Sequence, residues 1–475
     1  MTESAPPPAA ATEAGFDDPA FRSARTRNWL VLGFLYAAFY MSRYNFAAVM
    51  VNLAATFGWT NTELGIFETF MPLVYGLSVV LNGPIADRIG GRKAFLFGAL
   101  GVVFMNLLFG MCITFVDVPA VVIGKGHDAH VVTAAVLSHG FQPRTLLLLM
   151  AAIWGANGYF QSFGALSIVK VNAQWFHVRE RGTFAGIFGV LIRFGLILAF
   201  SGVPAIATVL PLQYAFWVPG AAVGVLFVLN YLFMRDSPLE AGFSDLDTGD
   251  AQGVSDGKPS SLGFVLRTVF ASRVTWIIAI GSMMIGMVRR STIDSWYPKY
   301  FKEVHLGDPT ASLASYVPYQ TAAWGIALLG IAGGFAFGMT SDRVFKGRRA
   351  PVIFFGFVGM AVVLGLFGVI DRASANPWVA AACLPVLSVF VNGAHGMIGG
   401  AASMDFGGRK AAATAAGLFD GMQYLASSLV GIGMGFTLDH WGWKAWQFVP
   451  IPFALVGALL MTRIWNATPK GRPAH

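Results

Sequence analysis

The sequence predicts an all-α polytopic membrane protein, with twelve transmembrane helices in two pseudo-symmetric six-helix halves around a central cavity. Three observations predict it. Of 475 residues, 56% are hydrophobic and only 12% charged, where soluble domains carry about 25% charged residues. Twelve apolar runs are long enough to span, since about 20 such residues cover the hydrocarbon core. A charged loop, Asp87-Arg88-Ile89-Gly90-Gly91-Arg92-Lys93, follows the second run and returns as Asp342-Arg343-Val344-Phe345-Lys346-Gly347-Arg348-Arg349 after the eighth. Such a six-span repeat places a substrate site near the midplane, where the halves meet.

In order, the runs are 29–52, 63–86, 93–116, 144–172, 182–208, 211–234, 273–298, 312–340, 350–370, 377–403, 410–437 and 444–465. Polar tails precede and follow them, at 1–28 and 467–475. The first is read as disordered. The stretch 235–272, rich in Gly, Ser and Asp, is a linker between an N-terminal half, 29–234, and a C-terminal half, 273–466. Lys and Arg collect after the second, fourth and eighth runs and before the eleventh, while 117–144 and 371–376 are nearly neutral. The positive-inside rule then puts both termini and the linker on the cytoplasmic side, and a bacterial inner membrane is the plain setting.

The same distribution explains the formal charge of +8 as loop topology and excludes a nucleic acid footprint. The first apolar run is too long for the hydrophobic region of a signal peptide. Cys112 and Cys383 lie within apolar runs and read as packed small hydrophobes. His127, His130 and His139 fall in a 117–143 insertion, fit no metal-ligand spacing and read as part of a solvated loop. No nucleophile–base constellation or nucleotide-binding glycine loop is present. An enzyme, a metal and a cofactor are therefore not expected.

Function is carried by charges inside the spans. A charged side chain at the bilayer centre costs at least roughly 3 kcal/mol on insertion scales, so it is retained where it faces a cavity and acts there. Arg43 lies 14 residues into its run, about 21 Å along a helix. Arg290 lies 16 residues past Val274, at similar depth in the other half. Two guanidinium forks converging on one cavity suit a doubly charged, oxygen-rich anion such as a phosphate. Asp294, four residues after Arg290, is expected on the same helical face as its orienting partner. Arg289, next door, reads as a snorkelling side chain.

Further candidates surround this pair. Arg193, 12 residues beyond Arg181 and so about 18 Å into the fifth span, is a ligand or secondary cavity charge. Lys170 is either a ligand or a snorkelling residue. Glu68 and Asp420 are possible proton carriers, with charge balance favouring them as partners of the arginines. Tyr36 and Tyr40 sit on the face of Arg43, and Tyr75 and Tyr424 lie in the second and eleventh spans; each can donate a hydroxyl to a phosphate. Asp87, Arg88, Arg92, Asp342 and Arg343 are gating-loop candidates, whose acids can latch the two halves together in one state.

These motifs resemble the organophosphate:phosphate antiporters of the major facilitator superfamily, from about Trp29 to Gln447. The carriers are Tyr36-Ala37-Ala38-Phe39-Tyr40-Met41-Ser42-Arg43-Tyr44-Asn45-Phe46, and the stretch from Phe160-Gln161 to Glu180-Arg181-Gly182. Others are Arg290 with Trp296-Tyr297-Pro298-Lys299-Tyr300, Ser341-Asp342-Arg343-Val344-Phe345-Lys346-Gly347, and Lys410 through Thr414-Ala415-Ala416-Gly417. The resemblance implies the major facilitator fold, phosphate held by Arg43 and Arg290, and Tyr36, Tyr40, Tyr75 and Tyr424 around it. Two departures stand out. Val79 replaces a lysine, and Ile192 followed by Arg193 replaces a cavity histidine, of glycerol-phosphate members. The clamp is kept and the rest of the pocket rebuilt.

The expected activity is one-for-one exchange of an organic phosphate ester for inorganic phosphate by a monomer in the bilayer. Ligand charge neutralises the arginines and lets the halves rock. Rival readings are a proton-coupled carrier of a non-phosphorylated organic anion and a membrane receptor for a phosphorylated sugar.

Overall fold

The computed structural model describes residues 18–114, 116–117, 120–123, 130–133, 136–137, 143–177, 181–244, 272–307, 311–374 and 376–467. The first 17 residues, most of the 235–272 linker, the end of the C-terminal tail, His127 and His139 lie outside them. Among the described residues the chain forms twelve helical rods, as a polytopic all-α protein must, because a backbone in lipid can satisfy its polar groups only internally.

The first half holds α1 (Pro19–Ala48), α2 (Asn61–Ile89), α3 (Gly91–Thr114) and α4 (Pro143–Trp175). Next come α5 (Arg181–Ile197, continued through a π turn at Leu198–Gly202 into Val203–Val209) and α6 (Tyr214–Phe233). The second half holds α7 (Arg273–Ser291, followed by Tyr297–Tyr300 and a π turn at Phe301–Leu306), α8 (Val317–Arg343) and α9 (Arg349–Ser374). It closes with α10 (Pro377–Gly396, with a π turn at Met397–Ala402), α11 (Ser403–Trp441) and α12 (Trp443–Trp446 with Ile451–Thr462).

Nine of these rods are long and apolar enough to cross a membrane among the described residues. The three outside that set are α1, α7 and α11, which carry Arg43, Arg289 with Arg290, and Asp420. Charge in these rods is what lowers their hydropathy. The described residues of the 117–143 insertion are not plain loop. Its backbone makes two short antiparallel ladders, Val116–Asp117 with Val136–Leu137 and Ala120–Ile123 with His130–Thr133, as its β-branched valines favour.

Between the halves, α2 packs along α11 and α5 meets α8. At the α2·α11 seam, helix backbones touch because glycines leave the room. A Cβ on Gly65 would lie 2.4 Å from the Gly431 carbonyl oxygen, and one on Gly435 would lie 2.2 Å from that of Asn61. Small residues permit such close approach where lipid offers no hydrophobic drive. At one end of the seam the Asp439 carboxylate, on α11, accepts from the backbone N–H groups of Asn61 and Thr62 at 3.0 and 2.8 Å. It also takes the Asn61 amide and the Thr62 hydroxyl. The first turn of α2, already closed by a Thr60/Glu63 capping box, is thus capped from the opposite half. Burial tends to raise the Asp439 carboxyl, and these hydrogen bonds outweigh it, holding the group below the usual carboxylate range.

At the opposite end, the repeated charged loops bond within their own halves. Asp342 pairs with Arg349 at 2.7 Å. Asp236, just after α6, accepts from the Arg92 backbone N–H at 2.6 Å, where the start of α3 favours a negative group. Burial pushes the Asp236 carboxyl above the ordinary range, against the Arg92 N–H that lowers it. Arg92 itself donates to the Tyr231 carbonyl at 2.6 Å. In this conformation Asp342 does not join the halves: its partner lies seven residues on, at the start of α9, because the Lys346–Gly347 turn, with φ of 54° and 84°, folds the loop back. Arg88 and Arg343 are exposed, and the Asp87 side chain lies outside the described residues.

Candidate functional site

Arg43 is 3% exposed and has no carboxylate partner among the described residues. Its Nε and Nη2 donate to Gln161 Oε1, on α4, at 3.3 and 3.2 Å, and its Nη1 donates to the Tyr424 hydroxyl at 3.4 Å. Its guanidinium carbon lies 4.7 and 4.6 Å from the ring centroids of Tyr40 and Tyr75. Tyr36 packs edge-on against Tyr40, and Tyr75 sits 4.4 Å from Tyr424. All four expected tyrosines thus gather around Arg43. The α2·α11 seam explains half of this, since it brings Tyr75 and Tyr424 together. Hydrogen bonds this long to neutral acceptors leave a fork that a charged oxygen ligand can take over.

The second arginine is assigned differently by geometry. Arg290 is buried in an ion pair with Glu68 across the halves, Nη2 to Oε2 at 2.6 Å, and Ser295 donates to the same oxygen at 2.6 Å. Glu68 is therefore an arginine partner, as charge balance suggested. Asp294 does not orient Arg290. It pairs with Arg289 at 2.7 Å and accepts from the Tyr44 hydroxyl at 3.3 Å. The expectation failed because α7 stops at Ser291, where Thr292 leaves helical geometry at φ −123° and ψ −81°; Asp294 is no longer four residues along one helix. Nor is Arg289 a snorkelling residue. Its side chain is 14% exposed, and its guanidinium carbon lies 5.9 Å from the Tyr424 centroid. Tyr424 accordingly stands between Arg43 and Arg289.

Gly286, Arg289, Arg290, Asp294, Gln423, Tyr424 and Ser427 border a crevice too tight to admit a water molecule in this conformation. Asp420, one turn before Tyr424 on α11, is within electrostatic reach of both Arg289 and Arg43 and has no hydrogen-bond partner among the described residues. Arg193 reaches across the halves to donate to Asn392 Oδ1, on α10, at 2.5 Å. Lys170 does not join the group around Arg43. Its Nζ donates to the Ala86 carbonyl at 3.0 Å, near the loop end of α2, which agrees with the snorkelling alternative.

Several polar groups here were missed in the sequence. Gln161 contacts Arg43, and Gln423 Oε1 receives Ser282 at 3.3 Å and lies 2.8 Å from His395 Nδ1. Asn392 holds Arg193. Neutral amides inside apolar runs were the available signal; intramembrane Asn and Gln rarely sit there without a partner.

Comparison with known proteins follows the same lines. Residues 32–431 match the Major Facilitator Superfamily. The chain is 27% identical over 459 residues to the glycerol-3-phosphate transporter of Bacillus subtilis, covering 94% of each. Two Salmonella typhimurium proteins are each 25% identical: the membrane sensor protein UhpC, with 94% of this chain and 93% of the relative covered, and the hexose-6-phosphate:phosphate antiporter, with 92% and 89%. In fold, the chain resembles a bacterial homolog of the human lysosomal transporter Spinster in an inward-facing, unoccupied conformation. The TM-score is 0.70 at 13% identity, over 95% of this chain and 99% of that one.

Proposed function

The chain belongs to the Major Facilitator Superfamily, and within it we propose an exchanger of an organic phosphate ester for inorganic phosphate, working by alternating access. The observation that carries this reading is a buried, acid-free Arg43 fork, ringed by four tyrosines and facing Arg289 across Tyr424. Its relatives by sequence include a glycerol-3-phosphate transporter and a hexose-6-phosphate:phosphate antiporter, which supports the same chemistry.

Arg43 and Arg289 form the clamp in this reading. Arg43 supplies a fork held only by neutral acceptors from the first half. Arg289, positioned by Asp294, supplies the second from the other half. Arg290, neutralised by Glu68, joins the halves. A phosphate monoester of charge about −1.5 to −2 replaces the long bonds to Gln161 and Tyr424 with charge-assisted ones. It also removes the penalty of closing an apolar cavity around an unmatched cation. The empty carrier crosses slowly for that reason, and obligatory exchange follows. Asp420 balances charge beside the clamp. The distribution of basic loops supports cytoplasmic termini, and the reading takes the carrier to be a monomer in a bacterial inner membrane.

The test is release of labelled phosphate from preloaded proteoliposomes on adding external phosphate esters or non-phosphorylated acids. Release by phosphate esters and by phosphate itself is the expected result. Release by non-phosphorylated acids under a pH gradient, without internal phosphate, would establish the proton-coupled alternative. The likeness to a sensor protein motivates the receptor reading, which binding of esters without any release would establish.

A further inference from the structure

Gln161, fully buried on α4, meets two partners of opposite kind. Its Oε1 takes both Nε and Nη2 of Arg43, at 3.3 and 3.2 Å. Its Nε2 donates to the Phe39 carbonyl, one turn before Arg43 on α1, at 3.1 Å. Chemistry fixes the orientation of this amide, because a guanidinium only donates and a carbonyl only accepts. One turn earlier on α4, Asn157 donates to the Ser42 carbonyl at 3.2 Å and accepts from Asn106 at 3.3 Å. Successive turns of α4 thus clasp α1 beside Arg43, and they set where the Gln161 oxygen stands.

The charge of that position matters more than its shape. Where the halves meet, four arginines (Arg43, Arg193, Arg289 and Arg290) face three acids (Glu68, Asp294 and Asp420), which leaves one positive charge in excess. Glu68 and Asp294 are paired with Arg290 and Arg289. Asp420 is within electrostatic reach of Arg43 and Arg289, and among the described residues no ion pair joins it to either. A glutamate at position 161 has nearly the shape of the glutamine. It would make a buried ion pair with Arg43 and bring the count to four against four. The amide instead holds the fork and leaves its charge unmatched. On the reading that this carrier exchanges phosphate esters, we propose that Gln161 is what makes the exchange obligatory: a neutral stand-in that keeps the Arg43 fork ready and leaves its charge to a transported anion. Unmatched charge opposes closure of the empty protein. An arriving phosphate takes the fork, Gln161 keeps the Phe39 carbonyl, and the opposition is lifted. An acid in its place would do permanently what the ligand does in passing, so the empty carrier would cross without a returning anion. Gln161 is in this sense a positioning residue, acting through Arg43.

The experiment uses the full chain in proteoliposomes loaded with labelled phosphate, with the membrane voltage clamped by potassium and valinomycin. Release is followed into buffer with external phosphate and into buffer free of phosphate and its esters. The native protein is expected to release at least about tenfold faster into phosphate than into phosphate-free buffer. Gln161→Glu should bring that ratio near one, by speeding phosphate-free release. Gln161→Met removes the acceptor without adding charge and should keep the ratio. Gln161→Asp, whose shorter side chain draws the charge back from the Phe39 carbonyl, should uncouple like the glutamate and carries the test where the longer acid fails to fold. A folded acid variant that still requires external phosphate would overturn the proposal, as would one that moves no label under either condition. So would loss of the ratio in Gln161→Met, because the amide contacts and not the missing charge would then set it. Failure of the native protein to release label to phosphate or to any ester defeats the exchange reading instead, and is distinct from these results.

Discussion

Two seams join the halves at positions related by the six-helix repeat, and they are put to opposite uses. At α2·α11 glycines bring backbones into contact and Asp439 caps the opposing helix. At α5·α8 a single glycine, Gly330, opens a passage that an arginine fills, and Tyr319 on α8 bonds to the Phe200 carbonyl in the π turn after α5. The first seam is a structural joint that also delivers Tyr75 and Tyr424 to Arg43. The second presents a charge. Pseudo-symmetry thus fixes where helices meet, while the residues at the meeting point decide whether it brings backbones together or holds a buried charge.

The largest expected effect comes from what the closed seam delivers. Arg43→Lys keeps the charge and loses the fork, so phosphate exchange should fall by about 100-fold or more, the cost of roughly 3 kcal/mol of charge-assisted bonding. Near-native exchange in that variant would remove the clamp. A wedge at the seam itself sharpens the contrast. Gly431→Val places side-chain atoms where a Cβ alone would lie 2.5 Å from Thr69, and it should reduce exchange by about tenfold or more through overpacking. Spin labels at Phe57 and Trp441 should report a longer separation of that end; an unchanged distance distribution would show that the glycines are not what holds it closed.

The smallest effect is expected at Asp439. Its carboxyl pKa is depressed in the folded protein, so its stabilisation is full at neutral pH. It is lost only as pH falls from the ordinary carboxylate range through the depressed value. Asp439→Asn should cost about 1 kcal/mol, the scale of a helix cap. Thermal melting of the two proteins should converge as the pH is lowered; a difference that persists at low pH would assign the effect to something other than the ionised cap.

Much of this was legible in the sequence. Twelve apolar runs and the repeated loop predict the rods, and Tyr36 and Tyr40 could be placed beside Arg43 by helical spacing alone. The choice between Arg289 and Arg290 could not. Neighbouring helical residues point about 100° apart, as 3.6 residues per turn requires. Both line the same crevice, and what separates them is the acid each meets: Asp294 reaches Arg289 because α7 ends at Ser291, with Thr292 out of helical geometry, an end that no capping signal announces. Gln161, Asn392 and Gln423 gave a weaker signal than the arginines, because an amide in an apolar run needs a partner but carries no charge. The cross-half cap by Asp439 depends on a contact between residues 377 and 378 positions apart, beyond any local pattern.

The charge in α1 also has a consequence for how the chain is built. Arginine near the middle of a helix costs about 2.5–3.5 kcal/mol at insertion, and α1 carries Arg43 before anything has been made to receive it. Gln161 follows 118 residues later, which at synthesis rates of 5–20 residues per second is roughly 6–24 s, and Tyr424 comes 381 residues after Arg43. The first rod therefore enters the bilayer as a poor transmembrane segment and is settled only when α4 joins it. Biogenesis of this protein is expected to run through a four-helix unit, with Arg43 setting the smallest piece of the chain that can stand in a membrane.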